Sequence, residues 1–298
     1  MITRCRWDAS TGLPQQALDA FANDGVLVIE DFAALDQCAA LRERALALVE
    51  KHAPASSHTV FSTKDQSHAR SEYFEQSANG IGVFFEAGAH DENGKLVVQL
   101  AKAVNKLGHA MHDLDPVFNA FSRTADLTRV ANSLGLTDPL LVQSMYIFKQ
   151  PGIGGEVNCH QDSTYLYTEP ASVVGFWFAI EDARKSNGCM KGIAGSPALG
   201  LREVFRRQPN GNLALEVLQP NLQWDTANAE WLEAKSGTLI VFNGLFAHLS
   251  SANHSAQSRH AYTLHAVSSR AHYPASNWIQ RPDSLGLPLT GFEPAVAP

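Results

Sequence analysis

The chain contains 298 residues, of which 45% are hydrophobic and 18% are charged, and its formal net charge is -7. A chain of this length can bury a sizeable core, and the residue balance is that of a folded globular protein rather than a disordered one. Lysine and arginine are scattered without a basic block, which argues against nucleic acid and acidic membrane surfaces as partners.

The cysteines and the apolar runs indicate the compartment. Cys5, Cys38, Cys159 and Cys189 lie far apart and form no CxxC motif, so neither a disulfide framework nor a structural zinc knot is expected. No apolar run approaches the length of a membrane span. The sequence therefore predicts a cytoplasmic protein without a membrane span, and it leaves the oligomeric state open.

The first part of the chain, about 1–138, is predicted to be mostly helical. The stretch LPQQALDAFANDG has apolar residues on one helical face and ends at Gly25, and a short apolar strand, VLVIEDF, follows. Apolar residues at helical spacing predict three more amphipathic helices: ALDQCAALRERALALVEKH at 34–52, KLVVQLAKAVNKLGHAMHDL at 95–114 and ADLTRVANSLGL at 125–136.

After residue 138 the composition shifts to β-branched and aromatic residues. Four segments are predicted as strands: LLVQSMYIFKQ, SVVGFWFAIED, GTLIVFNGLFAHLSS and RHAYTLHAVSS. Helices first and strands afterwards are typical of an α+β protein with a closed or sandwiched β core. Because no repeat or low-complexity linker interrupts the chain, we expect a single domain over 1–298, with the β core at about 139–280.

The segment EVNCHQDSTYLYTEP places His160 and Asp162 two residues apart. In a β-strand, residues i and i+2 point to the same side, so both side chains can reach one cavity. Two imidazoles and one carboxylate suit a mononuclear Fe(II) site with open coordination positions. His248, after the apolar segment GTLIVFNGLFA, is the candidate third ligand. A His-x-Asp pair also arises by chance, so the pair alone is weak evidence.

Ser250 and Arg259, downstream of His248, strengthen the prediction of a metal centre. Ser250 follows two residues later, and Arg259 lies at the start of the next predicted strand. An arginine can bind a carboxylate through two parallel hydrogen bonds, and a serine hydroxyl can add another. Taken alone, Arg259 is more simply interpreted as a surface charge on a strand. The combination indicates a ligand with a carboxylate at its far end.

In these motifs the sequence resembles the phytanoyl-CoA dioxygenase family of Fe(II)- and 2-oxoglutarate-dependent oxygenases. The resemblance runs from DGVLVIEDF to NWIQRP, and its most specific stretches are VNKLGHAMH, LVQSMYIFKQP, HQDSTYLYTEP, HLSSANHSAQSR and AYTLH. It implies a double-stranded β-helix, a cupin-like jelly roll, with helices packed outside.

The resemblance also implies roles for individual residues. His160, Asp162 and His248 would be the ligands of Fe(II) and thus the catalytic centre. Ser250 and Arg259 would hold the distal carboxylate of 2-oxoglutarate, the cosubstrate that is used together with O2.

Three further positions match family residues at the cosubstrate pocket. Lys106 would contact 2-oxoglutarate, and Met145 and Trp177 would line its pocket. Without the resemblance, Lys106 would be a solvated helix lysine, and the other two would be ordinary core residues.

The segment NGCMKGIAGSP departs from the family pattern, which has a bulky, proline-containing run here. Lys191 and Gly192 stand where large aromatic residues are common, and Pro197 stands where a histidine is usual. We predict that Lys191 and Gly192 belong to an altered substrate pocket; the alternative is drift in a peripheral turn. The pattern leaves open whether the substrate is an acyl-CoA, a carboxylate, a lipid or a secondary metabolite.

The resemblance implies a dioxygenase that hydroxylates or desaturates a small organic substrate while 2-oxoglutarate and O2 are converted to succinate and CO2. Asp162 favours these outcomes, because related halogenases lack the carboxylate. Two alternatives remain: a catalytically silent protein that binds metal and 2-oxoglutarate, and a non-oxidative enzyme whose His-Asp-His site holds zinc. Arg259 argues against the zinc enzyme, which does not require an arginine at this spacing.

Overall fold

Strands from both parts of the chain build two β-sheets in the computed structural model, which describes residues 1–53, 60, 72–281 and 289–292. The strands in these residues are β1 (Arg4–Arg6), β2 (Val26–Glu30), β3 (Ile81–Phe85), β4 (Val104–His109), β5 (Pro139–Ile147), β6 (Val157–His160), β7 (Val174–Ala179), β8 (Met190–Gly192), β9 (Glu203–Arg207), β10 (Leu213–Val217), β11 (Glu230–Leu232), β12 (Leu239–Asn243), β13 (His248–Ser250) and β14 (Ala261–Ser268). The larger sheet has the order β1-β2-β12-β7-β14-β5-β4-β3, and the smaller has the order β11-β8-β13-β6. Strands β9 and β10 form a separate hairpin.

The helices lie between the strands of the first part of the chain. In the described residues they are α1 (Gln15–Asp24), α2 (Leu35–His52), α3 (Glu72–Ser77), α4 (Leu100–Ala103), α5 (Met111–Leu114), α6 (Pro116–Ser122) and α7 (Ala125–Ser133). Helix α1 ends at Gly25, whose φ of 78° is left-handed and therefore favours glycine. Within the ranges that the structure describes, no helix is both long enough and apolar enough to cross a membrane.

The two faces of the eight-stranded sheet pack against different layers. Directly opposite residues of paired strands share a face, so Thr263 of β14 lies on the same face as Met145 of β5 and Trp177 of β7. The alternate residues Tyr262 and Leu264 lie on the other face, in a hydrophobic core that they share with helices α1, α2, α6 and α7. We call these the inner face and the outer face.

The inner face packs against the four-stranded sheet. Trp177, Ile240 and Ala261 of the large sheet share a second core with Met190 and Leu232 of the small one. Helices cover the outer face and a second sheet covers the inner face, as the predicted α+β class with a mainly β core requires. The predicted fold class is confirmed.

Most predicted elements are present, with one clear error. The helices at 13–25, 34–52 and 125–136 are confirmed as α1, α2 and α7, and the predicted strands beyond residue 138 are also present. The predicted helix at 95–114 is wrong: its centre is strand β4, which pairs with β3 and β5. Because β4 is buried on both sides, its apolar residues show no strand alternation.

Candidate active site

Three potential metal ligands converge on the side of the small sheet that faces the large one. His160 ends β6, His248 begins β13, and the two residues are paired directly across the strands, with ring centroids 4.3 Å apart. Asp162 Oδ1 lies 3.7 Å from His160 Nε2 and 3.8 Å from His248 Nε2. The three ligand atoms all lie within 4.8 Å of one another, so one metal ion can contact all of them.

Asp162 reaches this cluster from a turn and not from a strand. Strand β6 ends at His160, and a 3₁₀ turn covers Asp162–Thr164. The backbone N–H groups of Tyr165 and Leu166 close the turn by donating to the Asp162 carbonyl oxygen at 2.9 and 3.1 Å. The expectation that His160 and Asp162 share one strand face is therefore wrong, and the turn is what directs the carboxylate toward the histidines.

Backbone carbonyls fix the orientation of both imidazoles. His160 Nδ1 lies 2.8 Å from the carbonyl oxygen of Asn158, and His248 Nδ1 lies 3.1 Å from that of Phe246. Since a carbonyl oxygen only accepts hydrogen bonds, each Nδ1 must carry the proton and donate. Each Nε2 then has its lone pair free toward Asp162, which is the arrangement that a metal-binding histidine needs.

The ionisation of the cluster also suits a metal. Burial, together with neighbouring His248, lowers the pKa of His160 to about 4, so the imidazole is neutral at neutral pH. Burial raises the pKa of Asp162, but the neighbouring His265 and His248 lower it more, and it lies below its usual value. Neutral imidazole and ionised carboxylate are the forms that bind metal, and this donor set fits mononuclear Fe(II).

The second carboxylate oxygen of Asp162 is held by a histidine of the inner face. His265 Nε2 donates to Asp162 Oδ2 at 2.9 Å, and His265 is buried. Gly175 lies opposite His265 on β7, and a Cβ there would be 2.9 Å from Asp162 Oδ2 and 2.5 Å from the Phe242 ring. The absence of a side chain at Gly175 therefore provides the space in which the Asp162 carboxylate and His265 form their hydrogen bond. The hydrogen bond leaves Oδ1 directed at the two histidines.

Arg259 is a buried cation beside the inner face. It is 2% exposed, and its guanidinium carbon lies 5.5 Å from the centroid of the Trp177 ring. Among the residues that the structure describes, Arg259 Nε and Nη1 have no hydrogen-bond partner. Burial lowers the pKa of Arg259 to about 10, so the side chain stays charged at neutral pH. A buried guanidinium with N–H groups left over can bind an anionic ligand.

The predicted companions of Arg259 lie on neighbouring strands. Ser250 is two residues beyond His248 on β13, so the two side chains point to the same side. On the inner face, Lys106 Nζ lies 3.8 Å from Met145 Sδ. Burial lowers the pKa of Lys106 to about 7. Lys106 is therefore a buried strand residue, and the alternative of a solvated helix lysine is wrong.

Lys191 does not take part in this site. It pairs with Leu249 of β13, whereas His248 and Ser250 pair with the residues on either side of it. Lys191 therefore lies on the face away from the metal ligands, with its Nζ 4.9 Å from the centroid of the exposed Trp231 ring. The prediction that Lys191 belongs to the substrate pocket is wrong.

Gly192 does lie on the ligand side, opposite His248, but another side chain occupies the space that a Cβ at this position would need. A Cβ at Gly192 would be only 2.1 Å from the Phe246 ring. This ring lies nearly parallel to His248, with centroids 6.2 Å apart and planes at 10°. The Phe246 ring thus occupies the space left by the missing side chain at Gly192, and the part of Gly192 in an altered substrate pocket stays a prediction.

Three residues near the centre were not predicted. His265 lies in the segment AYTLH, where alternation with Thr263 on a buried strand was the available signal. Gly175 interrupts an otherwise bulky apolar strand, which is a known mark of close approach. Lys149 follows β5 and donates from Nζ to Ser250 Oγ at 2.9 Å, a contact between residues far apart in the sequence.

Comparisons with known proteins agree with this geometry. A protein family described as phytanoyl-CoA dioxygenase (PhyH) matches residues 21–261. The chain is 43% identical over 270 residues to a protein of Arabidopsis thaliana called phytanoyl-CoA dioxygenase, covering 90% of this chain and 94% of that protein. It is 38% identical over 284 residues to phytanoyl-CoA dioxygenase domain-containing protein 1 of Mus musculus, covering 93% of this chain and 98% of that protein.

A solved structure shares the fold at much lower sequence identity. The non-heme alpha-ketoglutarate-dependent carbocyclase SnoK from nogalamycin biosynthesis is 15% identical to this chain. The two align with a TM-score of 0.61, over 98% of this chain and 97% of that one.

Proposed function

The chain belongs to the phytanoyl-CoA dioxygenase family of Fe(II)- and 2-oxoglutarate-dependent dioxygenases, and from this membership we propose that it hydroxylates a small organic substrate. When bound, Fe(II) supplies the oxidising chemistry by which 2-oxoglutarate and O2 are converted to succinate and CO2. The observation that carries the proposal is the pairing of a His-Asp-His cluster with a buried arginine, Arg259, whose Nε and Nη1 have no partner in the described residues.

We assign the metal to His160, Asp162 and His248. The Nε2 atoms of the two histidines have free lone pairs, and the ionised carboxylate adds the negative charge that a hard cation prefers. His265 holds the remaining oxygen of Asp162 and so orients the carboxylate.

We assign the distal carboxylate of 2-oxoglutarate to Arg259 and Ser250. Arg259 offers charged N–H donors in a buried setting, where an unsolvated carboxylate gains most from the pairing. We assign Lys106, Met145 and Trp177, which share the inner face of the large sheet, to the lining of the cosubstrate pocket. A zinc hydrolase would have no use for a buried arginine at this position, so the site favours the dicarboxylic cosubstrate.

The substrate is proposed to approach beside His160. The His160 side chain is 22% exposed, compared with 10% for Asp162 and 8% for His248, so the centre opens on the His160 side. Tyr165 stands edge-on to His160 at 6.1 Å between ring centroids, and Phe205 follows at 5.8 Å from Tyr165. An aromatic wall of this kind suits an apolar part of a substrate, where a C–H bond can be presented to the metal.

We further propose a cytoplasmic location, since none of the four cysteines, all in described residues, forms a disulfide. Desaturation is the alternative outcome at the same centre, because it differs from hydroxylation only in the fate of the substrate after hydrogen abstraction. Because the Arabidopsis relative is named for phytanoyl-CoA, branched acyl-CoA esters and their free acids are the first substrates to try.

The test is to incubate the Fe(II)-loaded protein with 2-oxoglutarate, O2 and each candidate substrate, and to measure succinate and the substrate mass together. We expect succinate to rise with a substrate that gains one oxygen atom, and Asp162→Ala to abolish both signals. A product that loses two hydrogen atoms instead would replace hydroxylation by desaturation. Substrate conversion without succinate would contradict the proposed use of 2-oxoglutarate.

A further inference from the structure

Lys149 is a buried lysine beside the proposed cosubstrate subsite. It follows β5, is 2% exposed, and donates from Nζ to Ser250 Oγ at 2.9 Å and to the Gly155 carbonyl oxygen at 2.5 Å. Both of these acceptors are neutral oxygens. Burial of a lysine is costly, and such a residue normally has a charged partner or a function.

The backbone around Lys149 joins it to Arg259. The Lys149 carbonyl oxygen accepts from the backbone N–H of Arg259 at 3.2 Å and from Asn253 Nδ2 at 3.0 Å. The Lys149 side chain is also enclosed, since a Cβ at Gly188 would lie 2.8 Å from its Cε. The lysine and the arginine are therefore fixed relative to each other by the fold.

Both cations of this group can still pair with a negatively charged ligand. Lys149 and Arg259 are both buried cations, and burial disfavours the charged form of each. Glu86 is a buried carboxylate whose charge acts on both, and it accepts from the Gly155 N–H at 3.1 Å. Glu156 acts in addition on Lys149, and Glu181 acts in addition on Arg259. Burial raises the pKa of Glu86, which weakens its compensation. Lys149 Nζ donates to two neutral oxygens, and Arg259 Nε and Nη1 have no partner in the described residues, so these two cations can still pair with a negatively charged ligand.

We infer that Lys149 is a second cation of the 2-oxoglutarate subsite, acting on the distal carboxylate through the hydroxyl group of Ser250. The inference rests on the proposed function, which assigns this carboxylate to Arg259 and Ser250. A lysine ammonium group only donates, so Ser250 Oγ must accept from it. The hydroxyl proton of Ser250 is then free to donate to a carboxylate, and the ammonium charge strengthens that donor.

This arrangement makes Lys149 a positioning residue that selects for dicarboxylic 2-oxo acids. A cosubstrate without the distal carboxylate gains nothing from Lys149, Ser250 or Arg259. A lysine that merely supports the fold through the Gly155 carbonyl would instead affect both kinds of ligand equally. The comparison of two ligands therefore separates the two roles.

The experiment is anaerobic calorimetry of the Fe(II)-loaded full chain with 2-oxoglutarate and with 2-oxopentanoate, which has the same carbon chain but no distal carboxylate. The variants are Lys149→Met, which keeps the length of the side chain, and Ser250→Ala, which removes the intermediate hydroxyl. Lys185→Met is the matched control, an exposed lysine three residues before Gly188. Fe(II) affinity and far-UV circular dichroism report whether each variant folds.

We expect Lys149→Met to raise the Kd of 2-oxoglutarate about 10- to 100-fold and to change that of 2-oxopentanoate less than about threefold. Ser250→Ala should show the same selectivity. The Kd of 2-oxoglutarate for the double variant should exceed that for Lys149→Met by no more than about threefold, because both residues act on one hydrogen bond. Lys185→Met should leave both Kd values unchanged.

Equal weakening of the two ligands by Lys149→Met, or unchanged binding of 2-oxoglutarate, would overturn the inference. If Lys149→Met fails to fold, the test passes to Ser250→Ala. Equal increases in the Kd of 2-oxoglutarate and of 2-oxopentanoate in that variant would likewise contradict the inference. A wild-type protein that binds 2-oxoglutarate no better than 2-oxopentanoate would show a different failure, namely that of the proposed carboxylate subsite itself.

Discussion

The two faces of strand β14 carry residues with different roles. On the outer face, Tyr262 packs against Phe118 at 4.9 Å between ring centroids, and Leu264 is fully buried in the core beneath the helices. On the inner face, His265 meets Asp162, and Thr263 lies beside Met145 and Trp177. One strand thus carries packing on one side and polar chemistry on the other.

The difference between the faces is energetic. Burial of apolar side chains on the outer face stabilises the fold at roughly 25 cal/mol per Å². Buried polar groups on the inner face cost free energy unless they are paired, and Arg259 has donor groups without a partner in the described residues. The inner face is therefore suited to binding rather than to stabilising the fold. Substitutions on the outer face should mainly lower the free energy of unfolding, and those on the inner face should mainly lower the affinity for Fe(II) or 2-oxoglutarate.

The largest effect is expected from Asp162→Ala on the inner face. It removes the one negatively charged ligand of the cluster, and loss of even an outer partner of a metal ligand typically costs about 10- to 100-fold. We expect a loss of Fe(II) affinity of more than about 100-fold and no measurable succinate formation. Fe(II) binding under anaerobic conditions measures this directly, and near-normal affinity would show that the metal lies elsewhere.

Leu264→Ala tests the outer face of the same strand. Leu264 is fully buried, and removing a buried leucine side chain costs about 2–5 kcal/mol through lost transfer free energy and the cavity left behind. Urea unfolding should show this loss, while the Fe(II) affinity of the folded protein stays within about twofold of wild type. A large drop in Fe(II) affinity would mean that the faces are not independent.

His265→Ala should have an effect on Fe(II) affinity between those of the first two variants, because His265 contacts the metal ligand Asp162 and not the metal itself. Loss of the hydrogen bond to Asp162 Oδ2 should weaken Fe(II) binding about 10- to 100-fold. His265→Gln should restore part of the affinity, since its amide N–H can donate to the same oxygen. Equal affinities for the alanine and glutamine variants would indicate a packing role only.

The smallest effect is a pH dependence of 2-oxoglutarate binding. Burial and the charge of Arg259 lower the pKa of Lys149, Glu86 and Glu156 act in the opposite direction, and the resulting pKa is about 7. The ammonium form is therefore present below pH 7 and is lost as the pH rises through it. Because a bound carboxylate favours the ammonium form, affinity should fall by up to about tenfold per pH unit above 7.

Calorimetry in buffers of different ionisation enthalpy checks this, since binding above pH 7 should take up protons. The control ligand 2-oxopentanoate, without the distal carboxylate, should show a weaker dependence. A 2-oxoglutarate affinity that rises with pH would contradict the assigned role of Lys149.

The sequence predicted much of the fold because its periodic patterns are strong. Helices α1, α2 and α7 have one buried face each, so their apolar spacing was visible. Strand β4 was mistaken for a helix because it is buried on both faces and follows an alanine-rich segment. Apolar periodicity cannot separate the two cases over so short a length.

The candidate site was predicted less completely, and for a different reason. His160, Asp162 and His248 follow a spacing that resembles a known family. The hydrogen bond from His265 to Asp162 joins residues 103 positions apart, and that from Lys149 to Ser250 spans 101. Such contacts depend on strand register, which a single sequence does not display. Lys191 was misplaced for the same reason, since one step of register moves a side chain to the opposite face.

Anaerobic titration of the iron-free protein with Fe(II) and then with 2-oxoglutarate, followed by visible absorption, tests the central claim most directly. We predict a weak metal-to-ligand charge-transfer band when 2-oxoglutarate is added, its loss in His160→Ala and its appearance only at higher 2-oxoglutarate concentration in Arg259→Ala. Absence of the band in folded, iron-loaded wild-type protein would contradict the assignment of the inner face as an Fe(II) and 2-oxoglutarate site.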